Sequence, residues 1–327
     1  MDWSNKTVLV TGGGGFIGSH LCERLIQKGA NVRALVLYNS AGSNDWLDHS
    51  PYLKDIDVTL GDLLDRDSMS KTVKGVDVIF HLGALIAIPY SYSSPQSYVQ
   101  INVQGTLNVL QLARDYNVSR VIHTSTSEVY GSAQFVPINE EHPLVGQSPY
   151  SASKIGADMM AESFYRSFEL PVSTIRPFNT YGPRQSARAI IPTVISQALK
   201  KDQIKLGSLV PTRDLTFVHD TADGFIQMAE CDNVIGETIN LGVGKEISIG
   251  ELAQKIIKLI GRDVEILCDE ERLRPKASEV ERLCSDNRKA FELMNWQPSH
   301  SLDQGLELTI QWVQENIEKF KIDQYTV

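Results

Sequence analysis

Cysteine is scarce in this chain of 327 residues: Cys22, Cys231, Cys268 and Cys284 are the whole complement. They form no CxxC pair and have no histidine cluster beside them, which argues against a zinc site, so no metal is expected and the thiols read as buried or incidental. Basic charge is also short. With 31 Lys+Arg against 40 Asp+Glu the net charge is −9, so the chain gains nothing from releasing a polyanion's counterions. Nucleic acid is therefore not an expected partner, and any phosphate ligand has to be held locally. No apolar run reaches the roughly 18 residues of a spanning helix, and residues 1–10 lack a basic segment followed by an apolar one. The expectation is a cytoplasmic protein without a membrane partner. Repeats and low-complexity tracts are missing too.

What is present is a globular composition, 42% hydrophobic and 22% charged, enough for one large or two coupled domains. From Lys6 short β-branched runs alternate with amphipathic stretches. Strands are predicted at 7–11, 31–37, 58–60, 76–82, 120–125, 172–175 and 238–241, and helices at 16–28, 98–116 and 151–168. This alternation predicts an α/β fold with a doubly wound parallel sheet covered on both faces. After about Pro177 the rhythm loosens into Pro-punctuated loops and two amphipathic helices, 249–260 and 302–320. Ser248 is the expected N-cap of the first, with Glu251 three residues on.

Directly after the first strand comes Thr11-Gly12-Gly13-Gly14-Gly15-Phe16-Ile17-Gly18, then a helix. A glycine turn there lets the backbone approach a pyrophosphate, whose charge sits against the helix N-terminus. The expected ligand is a nicotinamide dinucleotide. The carboxylate normally found about 20 residues on, for the adenosine ribose, is missing from Leu35-Val36-Leu37-Tyr38-Asn39-Ser40. Only Arg33 is near, so NAD is favoured and NADP stays open. Asp62 and Leu63, after the third strand, are placed for the adenine edge. The expected division is a dinucleotide-binding domain, 1–177 with 216–243, and a smaller discontinuous substrate domain, 178–215 with 244–327.

Tyr150 and Lys154 stand four residues apart on one predicted helix face. A free phenol is a poor base at neutral pH, and reaching a pKa of ~7 takes roughly 4 kcal/mol of preference for the phenolate. An adjacent ammonium and a positive nicotinamide ring are expected to supply it. Tyr150 then takes a proton from a substrate hydroxyl while the carbon gives up hydride.

On these residues the chain resembles the extended short-chain dehydrogenase/reductases, the group of nucleotide-sugar epimerases and dehydratases. The resemblance runs nearly full length, through Thr11 to Gly18, His81-Leu82-Gly83-Ala84, Asn102, Tyr150 with Lys154, Arg176-Pro-Phe-Asn179, Tyr181-Gly-Pro-Arg184, Arg213-Asp214 and Val218-His-Asp220. It implies that Gly12, Gly15, Phe16, Ile17, Gly18, Asp62, Leu63, Leu82 and Ala84 join Tyr150 and Lys154 around the cofactor. It also implies that Asn179, Arg184, Ile191, Arg213 and Arg274 hold the nucleotide diphosphate and base of a sugar substrate, and that two subunits pair through helices 98–116 and 151–168. Arginine forks suit a diphosphate and offset the net negative charge locally. Ile88-Pro-Tyr-Ser-Tyr92 is expected to line the sugar pocket.

Thr126-Ser127-Glu128 ends a strand at the edge where ligands bind. Once C4 of a sugar is a ketone its C5 proton is acidified, and Glu128 is the carboxylate to remove it, so that water leaves from C6 and hydride returns there. In sugar 4,6-dehydratases the residue before this Glu is commonly Asp; here it is Ser127, and the triple resembles that of UDP-glucuronate decarboxylases. The wider text, including Ser186-Ala-Arg-Ala-Ile-Ile-Pro192 and Arg272-Leu-Arg-Pro275, resembles the NAD-dependent 4,6-dehydratases of the legionaminic acid pathway. A 4,6-dehydratase of UDP- or GDP-N-acetylglucosamine is therefore expected first, a decarboxylase second, a 4-epimerase third and a non-catalytic dinucleotide sensor as the rival of another class.

Overall fold

The computed structural model describes residues 1–273 and 275–322. Its strands are β1 (Thr7–Thr11), β2 (Asn31–Leu37), β3 (Ile56–Gly61), β4 (Val78–His81), β5 (Arg120–Thr124), β6 (Val172–Pro177), β7 (Asn179–Tyr181), β8 (Gln203–Leu206), β9 (Thr212–Phe217), β10 (Thr238–Leu241), β11 (Glu246–Ser248), β12 (Glu265–Cys268) and β13 (Arg282–Leu283). Seven of them form one sheet in the order β10-β6-β5-β4-β1-β2-β3, and every neighbouring pair is parallel. This is the doubly wound α/β sheet that the alternation predicts.

Period-two alternation explains why the strands are apolar throughout. Val8, Val10, Val32, Ala34, Val78 and Phe80 point to one face, against Leu21, Leu25, Phe225 and Trp296. Leu9, Leu35, Ile79 and Val121 point to the other, against Val109, Leu110 and Phe164. Strand order reverses between β1 and β4, and the crevice outside their carboxyl ends is where such sheets take ligands.

Most predicted elements recur with ends shifted by at most two residues, helices covering Phe16–Gln27, Pro149–Phe168 and Ile249–Ile260; the helix predicted over 302–320 stops at Glu315, five residues early, and a 3-10 turn follows over Ile317–Lys319. Ser248 and Glu251 form the expected reciprocal cap. The predicted helix over 98–116 is continuous but opens with a wide turn of π geometry over Val99–Gln104 before the α-helix Gly105–Asp115. The later part of the chain is richer than its loosened pattern suggests. There β9 pairs with β11, β7 and β13, β12 pairs with β8, and a helix runs over Ile190–Lys200. These elements share a separate core of Ile195, Ile204, Phe217, Leu252, Ile256 and Leu306. No helix among the described residues is long and apolar enough to cross a membrane.

Candidate active site

The glycine turn is shaped by close backbone approaches. Gly12 has φ +70°, and a Cβ there would lie 3.0 Å from the Gly83 backbone; a Cβ on Gly18 would overlap the Gly12 carbonyl oxygen. Gly15 is the N-cap of the Phe16–Gln27 helix, with no side-chain cap and no acidic residue in the first turn. The positive helix end therefore faces the crevice with no acidic residue in its own first turn, in a cradle of close glycine contacts that suits a pyrophosphate.

A buried polar chain fixes the wall opposite. Thr11 Oγ1 accepts the Gly83 N–H at 3.0 Å and meets His81 Nδ1 at 2.8 Å, while His81 Nε2 meets Thr106 Oγ1 at 3.0 Å. The Leu82 N–H reaches the Thr11 carbonyl, so Leu82 and Ala84 leave β4 beside the turn. Asn102, 1% exposed, accepts the Leu85 N–H at 2.8 Å and donates to the Leu85 carbonyl at 3.0 Å and to Ser153 Oγ at 2.9 Å. One side chain thus ties the loop after β4 to the helix that carries Tyr150. On the adenine side Leu63 is buried and would touch any Cβ on Gly83, and Asp62 is exposed, its Oδ1 accepting the Leu64 N–H. Arg33 is spent elsewhere, on Asp57 and the Thr72 carbonyl.

Tyr150 and Lys154 share a helix whose start is strongly specified. Pro149 occupies the first turn, where no N–H is needed, and Ser148 and Ser151 cap each other's backbone N–H groups. Both functional side chains are buried. Burial pushes the Tyr150 phenol well above the usual tyrosine range, although the Thr126 hydroxyl bonds to it and acts downward, while Glu128 adds to the rise. The expected lowering by Lys154 does not offset this rise. Lys154 Nζ donates to the Thr124 carbonyl at 2.5 Å, and burial lowers the ammonium's own pKa to about 8.

Beneath Lys154 lies a network that the spacing alone did not single out. Asp158, one helical turn on, accepts from Ser125 Oγ at 2.7 Å and Arg176 Nη2 at 3.1 Å, and pairs with His123 Nε2 at 3.0 Å. Burial acts to raise this carboxyl, but the His123 bond and the Arg176 charge leave it below its usual range. The i, i+4 spacing from Lys154 was the available signal; its partners come from β5 and β6.

Glu128 lies on a tight turn, Ser127–Tyr130, at the carboxyl end of β5. Thr126 caps it, accepting the Glu128 N–H at 3.2 Å, and Ser127 is 2% exposed. Across the crevice, Tyr98 meets the Tyr150 ring edge-on at 6.1 Å and donates to the carbonyls of Ile86 and Ala87. The aromatic stretch is a short helix, Ile88–Ser93, and Tyr92 bonds to Ser278.

The expected nucleotide-holding residues are less uniform. Asn179, on β7, has a buried Oδ1 without a partner among the described residues, an acceptor waiting for a donor. Arg213 is buried, donating to the Thr212 carbonyl and Glu279. Arg184 donates to Ser19 Oγ at 3.2 Å and Glu23 Oε1 at 2.8 Å, so it is tied to the Phe16–Gln27 helix. Ile191 sits in a helical first turn, 1% exposed, within the second core rather than on a loop. Arg274 lies outside the described residues.

Comparison with known proteins matches residues 9–309 to the family described as GDP-mannose 4,6 dehydratase. A protein called putative UDP-glucose 4-epimerase from Methanocaldococcus jannaschii is 31% identical over 94% of this chain and 99% of its own. The UDP-N-acetyl-alpha-D-glucosaminuronate decarboxylase of Bacillus cytotoxicus is 33% identical over 95% and 98%. The crystal structure of the DesIV double mutant, a dTDP-glucose 4,6-dehydratase from Streptomyces venezuelae with NAD and DAU bound, superposes with a TM-score of 0.84 at 30% identity, over 96% of this chain and 98% of that one.

Proposed function

Because the chain belongs to the family described as GDP-mannose 4,6 dehydratase, within the NAD-dependent epimerases and dehydratases of the extended short-chain dehydrogenase/reductases, we propose that it is a nucleotide-sugar 4,6-dehydratase using NAD. The proposed substrate is UDP- or GDP-N-acetylglucosamine, in keeping with the likeness to the legionaminic-acid enzymes. It lies between the sheet-bearing unit, 1–177 with 216–243, and the smaller unit, 178–215 with 244–327. Asn179 and Arg213 face its diphosphate, and the Gly12 to Gly18 turn, Asp62, Leu63, Leu82 and Ala84 hold the dinucleotide.

The observation that carries this reading is Glu128, a carboxylate on the capped turn after β5, close enough to Tyr150 to act on its ionisation. Bound NAD, held by the glycine turn and the loop at 82–84, would supply hydride exchange with the sugar and, oxidised, positive charge beside the phenol. Tyr150 takes the C4 hydroxyl proton, with the Thr126 hydroxyl stabilising its phenolate. Lys154 and Asp158 hold the electrostatic balance underneath. Glu128 removes the C5 proton once C4 is a ketone, and that proton departs with the C6 hydroxyl as water; hydride at C6 and a proton from solvent at C5 then complete the 4-keto-6-deoxy sugar.

Ser127 favours one second reading. A buried hydroxyl is a weak acid for a departing hydroxyl, whereas decarboxylation of a 4-keto uronate needs no such acid. Mass spectrometry after incubation with UDP- and GDP-N-acetylglucosamine and with UDP-glucuronate separates the readings. Loss of water from the N-acetylglucosamine nucleotides is expected; loss of carbon dioxide from the uronate establishes the decarboxylase instead, and a product of unchanged mass an epimerase. By the same likeness we propose a homodimer paired through helices 98–116 and 151–168, on which Met159 is exposed while Leu110 and Phe164 are buried in the chain's own core.

A further inference from the structure

The end of β2 offers nothing to the adenosine ribose. Leu37 and Tyr38 are exposed apolar and aromatic side chains, and Asn39 is consumed by its own loop, donating to the Ser43 carbonyl at 2.8 Å and accepting the Ser43 N–H at 3.0 Å. A carboxylate nevertheless reaches the glycine turn from further along. A Cβ built on Gly14 would lie 3.0 Å from Asp45 Oδ2 and 2.8 Å from the Asn44 carbonyl oxygen, so this loop fills the space of a side chain at position 14. The Trp46 N–H donates to the Gly14 carbonyl at 3.0 Å and fixes the approach.

Asp45 is held there against its own preference. Its φ is +54°, a conformation that costs a non-glycine residue energy and persists only where the surroundings over-determine it. Here they do. Asp48 closes the loop from within, accepting from Ser43 Oγ at 2.9 Å, Asn44 N at 3.0 Å and Asn44 Nδ2 at 2.8 Å. Outside, Trp46 packs edge-on against Trp312 at 5.3 Å, with Lys319 Nζ 5.2 Å from its ring centre. Asn39, Ser43, Asn44 and Asp48 are paired within the loop, whereas the Asp45 carboxylate, on an exposed residue, lies against the glycine turn and accepts no hydrogen bond from a described residue.

We propose that Asp45 selects the cofactor, accepting the adenosine 2′-hydroxyl beside Gly14 and repelling a 2′-phosphate at the same place. A hydroxyl donates to an ionised carboxylate; a phosphate offers only acceptors and like charge. The inference rests on the NAD reading above and adds the residue that imposes it.

Titration calorimetry of NAD and NADP with the full chain tests it, using the parent, Asp45→Asn and Asp45→Gly. Both replacements accept a left-handed φ, so the loop keeps its course, and thermal melting checks that it does. The parent is expected to prefer NAD by about tenfold or more, and Asp45→Gly to weaken NAD about tenfold, tighten NADP and bring the two near parity. Asp45→Asn, which keeps an acceptor without the charge, is expected to retain more NAD affinity while gaining NADP. A parent that binds NAD with a preference unmoved in both folded variants overturns the role of Asp45 alone. A parent that prefers NADP, or binds neither dinucleotide, overturns the NAD reading with it.

Discussion

Lys154 Nζ donates to the Thr124 carbonyl, which anchors the ammonium to the last residue of β5 rather than to the Tyr150 phenol on its own helix. The phenol is left to Thr126 and to burial, and burial holds its proton on. On the proposed function, Tyr150 would gain base strength from the positive charge that a bound dinucleotide brings.

Tyr150→Phe keeps the ring contact with Tyr98 and removes only the oxygen. Turnover is expected to fall by about 10²–10⁴-fold, with the Kd for NAD changed little. Activity by mass spectrometry and affinity by calorimetry check the two halves, and undiminished biological activity in the variant would favour the sensor class.

Glu128→Gln is expected to separate oxidation from elimination. The amide keeps the turn, whose cap uses the Glu128 backbone N–H, but accepts no proton from C5. Product formation should drop by about 10²-fold or more while substrate still reduces bound NAD, followed by nicotinamide absorbance.

Lys154 gives a pH signature in the cofactor-free protein. Burial lowers its pKa from 10.5 to about 8. Between those values the unfolded chain binds a proton that the folded one has lost, so this group makes stability rise with pH through that window, and its buried charge costs stability below it. Lys154→Met is expected to be more stable near neutral pH by about 1–3 kcal/mol and to lose this component. Urea denaturation across the range measures both.

Asn102→Ala strips three buried hydrogen bonds and leaves the Leu85 N–H without its partner. A loss of about 1–3 kcal/mol is expected by chemical denaturation. Because the same side chain joins the loop after β4 to the Tyr150 helix, kcat should fall more than KM rises.

Much of this was legible in the chain because local pattern and global fold agree. Val8, Leu9 and Val10 are all apolar because both sheet faces are covered, and Gly12 to Gly18 follow them at once. Tyr150 and Lys154 announce a shared helix face. Other features needed the third dimension. Ile190–Lys200 was hidden because Pro192 reads as loop punctuation, although proline in a helix's first turn loses no hydrogen bond. The strands β7, β11 and β13 have only two or three residues, too few to show a period. That Arg184 pairs with Glu23 across 161 positions is a property of packing, not of spacing.

The turn bearing Glu128 is held by its main chain and its neighbours: Thr126 caps it, the Gly131 N–H reaches the Glu128 carbonyl, the Val145 N–H reaches the Val129 carbonyl, and the Tyr130 hydroxyl bonds to Asn240 and Arg176. Among the described residues, neither the Ser127 hydroxyl nor the Glu128 carboxylate has a partner in that frame. On the proposed function the two side chains are exchangeable parts in a fixed mount: altering them would change the fate of the oxidised sugar, and removing the Glu128 charge would also make the Tyr150 phenol easier to ionise.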